Sequence, residues 1–128
     1  MVHQEKDLRE LVIKTARSMN ALGINVNKSG NVSVRARVGE LEGFWITPTG
    51  IAYEDLVAQD IVFVALDGLP HEEFAKQRKA SSEWLMHAEV YRHRQDVSAI
   101  VHTHSVYATA LACQDLCIPA FHYMVAVA

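Results

Sequence analysis

The run Val97-Ser98-Ala99-Ile100-Val101 ends in His102-Thr103-His104, and that join constrains this chain more than any other stretch. Read as a strand, it sends alternate side chains to opposite faces. His102 and His104 then share a face, with Cα atoms about 6.6 Å apart. Two imidazoles so placed can converge on one metal ion. Same-face histidine pairs also occur without metal, and a catalytic zinc normally takes a third protein ligand and keeps one position open.

The remaining punctuation is regular. Leu8, Leu11, Val12, Thr15, Met19 and Leu22 recur at helical spacing, and Gly23 follows as a C-terminal cap. After a polar loop from Asn25 to Gly30, Val32, Val34 and Ala36 alternate with Ser33, Arg35 and Arg37, the period of a half-buried strand. Gly39 to Gly43 turns that strand into Phe44-Trp45-Ile46, which makes a hairpin. A helical turn near Tyr53 to Leu56 precedes a strand from Ile61 to Leu66. Asp67-Gly68 then predicts a second hairpin with its return strand near Glu72 to Phe74. Trp84, His87, Ala88 and Tyr91 mark one face of a second long helix, for which Ser81 or Ser82 suits the N-cap. A third helix is expected from about Ser105 to Ala112, and Pro119 opens a final apolar run.

Half of the 128 residues are apolar and 21% are charged, so one globular domain with a core of its own is expected over residues 1–128. No run is long enough to span a membrane, and the first residues lack the basic and apolar regions of a signal peptide. Cytoplasmic localisation is the expectation. A formal net charge of −3, with Arg92-His93-Arg94 only a short basic cluster, argues against nucleic-acid binding. Cys113 and Cys117, four apart on a helical segment, read as reduced, half-buried thiols.

Three polar segments carry possible chemistry. Gly30-Asn31-Val32-Ser33 and Thr47-Pro48-Thr49-Gly50 are glycine-containing loops of the kind that offer N–H and hydroxyl donors to phosphate, though each alone is equally readable as a turn. Ser81-Ser82-Glu83 opens a helix, where free N–H groups and the dipole favour an anion. It also reads as a serine cap followed by an acid that suits the dipole. Placed in a cleft beside a metal, Glu83 is instead a general acid/base. His3, His71, His87, His93 and His122 read as surface or core histidines.

Together Gly30-Asn31-Val32-Ser33-Val34-Arg35, Ile46-Thr47-Pro48-Thr49-Gly50-Ile51, Ser81-Ser82-Glu83-Trp84, His102-Thr103-His104 and Ile118-Pro119-Ala120-Phe121-His122-Tyr123-Met124 resemble the class II aldolase/adducin family in order and spacing. The resemblance implies a three-layer α/β/α fold with a mostly antiparallel central sheet, assembled as a homotetramer with sites between subunits. It implies that Asn31, Thr49, Gly50, Ser81 and Ser82 hold a substrate phosphate, that His102 and His104 bind Zn2+, and that Glu83 is the acid/base. Tyr123 would reach a neighbouring subunit's site to protonate or orient the aldehyde. The implied reaction is cleavage of a ketose phosphate, fuculose phosphate-like, to dihydroxyacetone phosphate and an aldehyde through a metal-stabilised enediolate. Epimerase, dehydratase and decarboxylase chemistry, or a non-catalytic adducin-like module, are the alternatives within the family. The family's third zinc-binding histidine lies beyond the segment matching Tyr123, and the chain ends on the apolar run Tyr123 to Ala128. An incomplete C-terminus is therefore expected.

Overall fold

The computed structural model describes residues 2–69 and 71–126. In chain order it contains α1 (Val2–Ala21), β1 (Asn31–Val38), β2 (Leu41–Ile46), β3 (Val62–Ala65), α2 (Trp84–His93), β4 (Ala99–His102) and α3 (Val106–Cys113). Single 3-10 turns lie at Tyr53–Asp55, Ala58–Asp60, Glu72–Phe74 and Tyr123–Ala126. The strands form one sheet in the order β3-β2-β1-β4, with every neighbouring pair antiparallel.

Strand alternation gives the sheet two apolar faces, and each takes a helix. Val32, Trp45 and Phe63 pack with Val12, Ile13, Ala16 and Met19 of α1. Phe44, Ile46 and Val62 face the other way, onto Ala88 and Tyr91 of α2. The result is the expected three-layer α/β/α arrangement about an antiparallel sheet. Buried residues of α1 follow the 3.6-residue period, but Ile13 and Ala16 complete the face while Leu11 and Leu22 are exposed. Gly23, at φ +70°, ends the helix in a Schellman motif: Gly23 N–H donates to Asn20 O and Ile24 N–H to Met19 O. Arg17 then ties α1 to the first 3-10 turn by donating to the carbonyls of Tyr53, Glu54 and Leu56.

Several expectations are corrected. At its start β1 is buried on both faces, since Asn31, Val32 and Ser33 are all buried; α2 covers the side that the alternation left polar. Strand β2 begins at Leu41, so the turn is Gly39-Glu40. Gly43 lies inside the strand, where a Cβ would sit 2.3 Å from Val64 O. Among the described residues no return strand follows Asp67-Gly68. Glu72–Phe74 is a 3-10 turn, and the Gln77 side chain occupies the edge of β3 instead. It accepts from Phe63 N–H at 2.9 Å and donates to Phe63 O at 2.6 Å. The N-cap of α2 is Glu83, with no side-chain cap bond; Ser82 and Ser81 stand one and two residues too early, the Ser81 carbonyl accepting from Trp84 N–H. Cys113 and Cys117 are free and exposed rather than half-buried. Helix α3 has no buried residue, and only its Leu111 is half-buried.

Candidate metal and acid–base site

Two backbone links bring the polar loops to one end of the sheet. Thr47 pairs with Val32, its N–H donating to Val32 O and its Oγ1 accepting from Val32 N–H. The segment from Thr47 to Thr49 then pairs with residues 79–81: Ser81 N–H donates to Thr47 O, Thr49 N–H donates to Lys79 O, and Pro48 and Ala80 form an antiparallel bridge. Asn31 opens β1 rather than sitting in a loop, and the two loops that carry Thr49, Gly50, Ser81 and Ser82 are stitched beside it. Thr49, Gly50 and Ser82 are exposed, whereas Ser81 is buried, with its Oγ accepting from Glu83 N–H at 3.4 Å. Gly50 has φ +83°, a left-handed conformation that suits glycine.

The histidine pair sits beside these loops. In the register of β1 with β4, Asn31 lies opposite His102. The strand ends there, two residues sooner than the alternation argument requires, and His104 is held by different means. Its N–H donates to Asn25 Oδ1 at 2.9 Å. Gly30 makes this approach possible, because a Cβ at that position would lie 2.3 Å from His102 O and 2.7 Å from Asn25 Oδ1. The buried Tyr53 hydroxyl donates to Gly30 O and braces the loop from below. Burial, followed by the nearby charges of Glu83 and Glu54, pushes the Tyr53 phenol up to about 12, so it stays a donor.

The outcome is a convergent cluster. His102 Nε2 and His104 Nε2 lie 2.9 Å apart with their rings at 85°, and Glu83 Oε2 is 3.3 Å from His102 Nε2. Glu83, His102 and His104 each offer one ligand atom, all within 4.8 Å of one another. This donor set fits zinc, which takes imidazole nitrogen and carboxylate oxygen and spaces ligand atoms about 3.3 Å apart when tetrahedral.

Glu83 is gripped from the sheet side. Asn31 Nδ2 donates to Glu83 Oε2 at 2.6 Å, and Asn31 Oδ1 accepts from His87 Nε2 at 2.5 Å. Asn31, placed by the resemblance on the phosphate, thus has its amide committed at both ends to protein partners, with one Nδ2 hydrogen remaining. Tyr123 is elsewhere. It is 74% exposed, its ring packs on His122 at 4.4 Å, and it takes no part in the network around Glu83.

Two residues escape a reading of the sequence alone. His87, grouped there with surface or core histidines, is fully buried and connects to Glu83 through Asn31. Lys28 brings its ammonium to Gly50 O at 3.1 Å, a cation on the rim of a loop set otherwise served by neutral donors. A lysine within a polar loop carries no signal that would single it out.

Burial, and behind it the electrostatic influence of His102, holds the His87 pKa down to about 4, while Glu83 acts the other way. The unfolded chain takes up this proton through pH 6.5 and the folded chain near pH 4, so stability present above pH 6.5 is lost as pH falls between those values. The loss is about 3 kcal/mol at most. Urea midpoints measured from pH 7 to 4.5 are expected to fall accordingly, and His87→Gln is expected to flatten that slope. An equally steep decline in the variant would assign the effect to other groups.

A family model described as Class II Aldolase and Adducin N-terminal domain matches residues 10–128. The chain belongs to the class II aldolase and adducin family. It is 46% identical over 121 residues to a 5-methylthioribulose-1-phosphate/5-deoxyribulose-1-phosphate aldolase of Rhodospirillum rubrum, a match that covers 94% of this chain and 51% of that relative. It is 42% identical over 125 residues to the L-fuculose phosphate aldolase of Escherichia coli, covering 98% and 54% respectively. Among solved structures, an L-fuculose 1-phosphate aldolase superposes with a TM-score of 0.81 at 37% identity, over 94% of this chain and 55% of the other. The chain thus spans about half the length of these relatives. No helix among the described residues is long and apolar enough to cross a membrane.

Proposed function

We propose that this chain carries the metal and acid–base centre of a zinc-dependent aldolase-type lyase that cleaves a ketose 1-phosphate to dihydroxyacetone phosphate and an aldehyde. The observation that carries the proposal is the meeting of Glu83, His102 and His104 within 4.8 Å, beside the start of β1 and the two polar loops stitched to it. Relatives named for fuculose phosphate and methylthioribulose 1-phosphate support a phosphorylated sugar as substrate.

His102 and His104 are the residues to hold Zn2+, which when bound supplies a Lewis acid for the carbonyl and hydroxyl oxygens of the substrate. Asn31, Thr49, Gly50, Ser81 and Ser82 orient the phosphate, helped by the start of α2 and by the Lys28 ammonium. Holding that group fixes the distance from phosphate to scissile bond, which removes much of the entropic part of the barrier. Glu83 moves the proton at the carbon that loses its C–C bond. Its carboxylate is already positioned by Asn31, and as an acceptor-only group it takes the proton without disturbing its neighbours.

Homotetramer assembly belongs to the same proposal, with Tyr123 acting in the site of a neighbouring subunit. Exposed Tyr107, Phe121 and Tyr123, which are 85%, 75% and 74% accessible, support a surface that is covered in the assembled protein. Cytoplasmic residence is supported by the free thiols of Cys113 and Cys117.

Divalent-metal binding tests the centre directly. Cobalt titrated into the protein is expected to give the absorption of a low-symmetry site, and His102→Ala is expected to weaken binding by at least about 10- to 100-fold, the scale set by disturbing even outer partners of a metal site. Unchanged cobalt affinity in that variant would remove His102 from the metal and with it the proposed centre.

A further inference from the structure

Behind Glu83 runs a buried line of polar groups that the proposed reaction does not by itself require. Tyr91 OH lies 2.8 Å from Ser33 Oγ, Ser33 Oγ lies 2.7 Å from His87 Nδ1, His87 Nε2 lies 2.5 Å from Asn31 Oδ1, and Asn31 Nδ2 lies 2.6 Å from Glu83 Oε2. Ser33, His87 and Tyr91 are 0% exposed and Asn31 is 2% exposed. We propose that Tyr91, Ser33 and His87 form a one-way hydrogen-bond relay that locks the Asn31 amide and thereby aims the Glu83 carboxylate, with His87 as the positioning residue.

The direction follows from the chemistry of each atom. A carboxylate only accepts, so Asn31 must turn its NH2 toward Glu83 and its carbonyl oxygen toward His87. That oxygen has no hydrogen, so His87 Nε2 must carry one. Burial keeps the ring neutral, which leaves Nδ1 bare and obliges Ser33 to donate to it. Ser33 has then spent its only hydrogen, and Tyr91 must donate to Ser33. All four links point toward Glu83. Bonds aligned in this way polarise one another, and no member can turn without leaving a buried group unpaired.

The layout is repeated along two elements. Glu83, His87 and Tyr91 are four residues apart at the start of α2 and along it; Asn31, Ser33 and Arg35 are two apart on β1. Four residues of helix rise about 6.0 Å and two of strand about 6.6 Å, so the two ladders stay in step. Arg35 closes the far end, with its guanidinium 4.8 Å from the centre of the Tyr91 ring and one nitrogen donating to Tyr91 O. The pattern Asn-x-Ser-x-Arg facing Glu-x-x-x-His-x-x-x-Tyr is therefore a unit that spans sheet and helix.

This inference rests on the reading of Glu83 as the acid/base, and two measurements separate them. The first needs no activity: nitrogen-15 shifts of His87 in the metal-free protein at pH 7 are expected to show a neutral ring protonated at Nε2. A ring protonated at Nδ1, or at both nitrogens, overturns the relay. The second compares kinetics. His87→Gln retains a donor where Nε2 stood and is expected to keep kcat within a few-fold, whereas His87→Phe is expected to lower kcat about 10-fold with KM little changed, as befits a group that acts on the transition state through Glu83. If Glu83→Gln abolishes turnover while a folded His87→Phe retains full kcat, the relay fails and the acid/base reading stands. If His87→Phe does not fold, Ser33→Ala takes its place, with a several-fold lower kcat at little changed KM as the expected result and full kcat as the overturning one.

Discussion

Glu83→Gln is expected to slow turnover by about 10²-fold or more, the usual scale for losing a general acid/base. The substitution removes the proton-transfer capacity while keeping shape and one acceptor. The introduced amide can still present its carbonyl oxygen to Asn31 Nδ2, which donates to Glu83 at 2.6 Å in the native chain, so neither the fold nor the stitched polar loops should move. Metal and substrate binding are therefore expected to persist. Steady-state kinetics beside a thermal melt and a cobalt titration check all three. Normal turnover in a folded, metal-binding variant would leave Glu83 as a helix-terminal acid that suits the dipole of α2.

Gly30→Ala is expected to be among the most damaging small substitutions in this chain. Its Cβ would fall 2.3 Å from His102 O and 2.7 Å from Asn25 Oδ1, far inside contact distance, and the first of these is backbone in a strand paired to β1. Asn25 cannot swing away freely, because its Oδ1 accepts from His104 N–H and Ser29 Oγ–H. Relief must come from pushing β4 and its histidines off β1. A loss of about 3 kcal/mol or more is expected, at the upper end for overpacking at a rigid site, together with weakened cobalt binding. Urea unfolding and metal titration would show both. An unchanged midpoint and affinity would mean that the Gly30 approach is not what seats His102.

Much of this architecture is legible in the sequence because α1, α2 and the central strands bury their apolar residues at regular spacing. Val12 and Met19 on α1, the Phe44-Trp45-Ile46 strand and the Trp84–Tyr91 helix face all carry local periodicity that survives tertiary packing. What escapes is work done by side chains across the sequence. Gln77 replaces a whole return strand by bonding both backbone groups of Phe63, and no period announces that. Helical spacing places His87 on the buried face and says nothing more; its partners Asn31 and Ser33 lie 56 and 54 residues away, a distance that no local pattern bridges. Cys113 defeats the same reasoning because α3 is apolar on every side, so its composition does not say which face, if any, is covered.

The metal pair is legible for a partly different reason from the one that holds it. Alternation along a strand predicts same-face imidazoles, and they do meet, yet β4 stops at His102 and Asn25 sets His104. The loops are legible only as candidates; the Thr47–Ser81 and Thr49–Lys79 bonds are what place them together.

The most direct test of the central claim is release of dihydroxyacetone phosphate from L-fuculose 1-phosphate or 5-methylthioribulose 1-phosphate, followed before and after removal of divalent metal. Cleavage that disappears on chelation, returns with zinc and is absent from a His102→Ala, His104→Ala double variant is the predicted result. Cleavage that persists without metal and in the double variant would contradict the account.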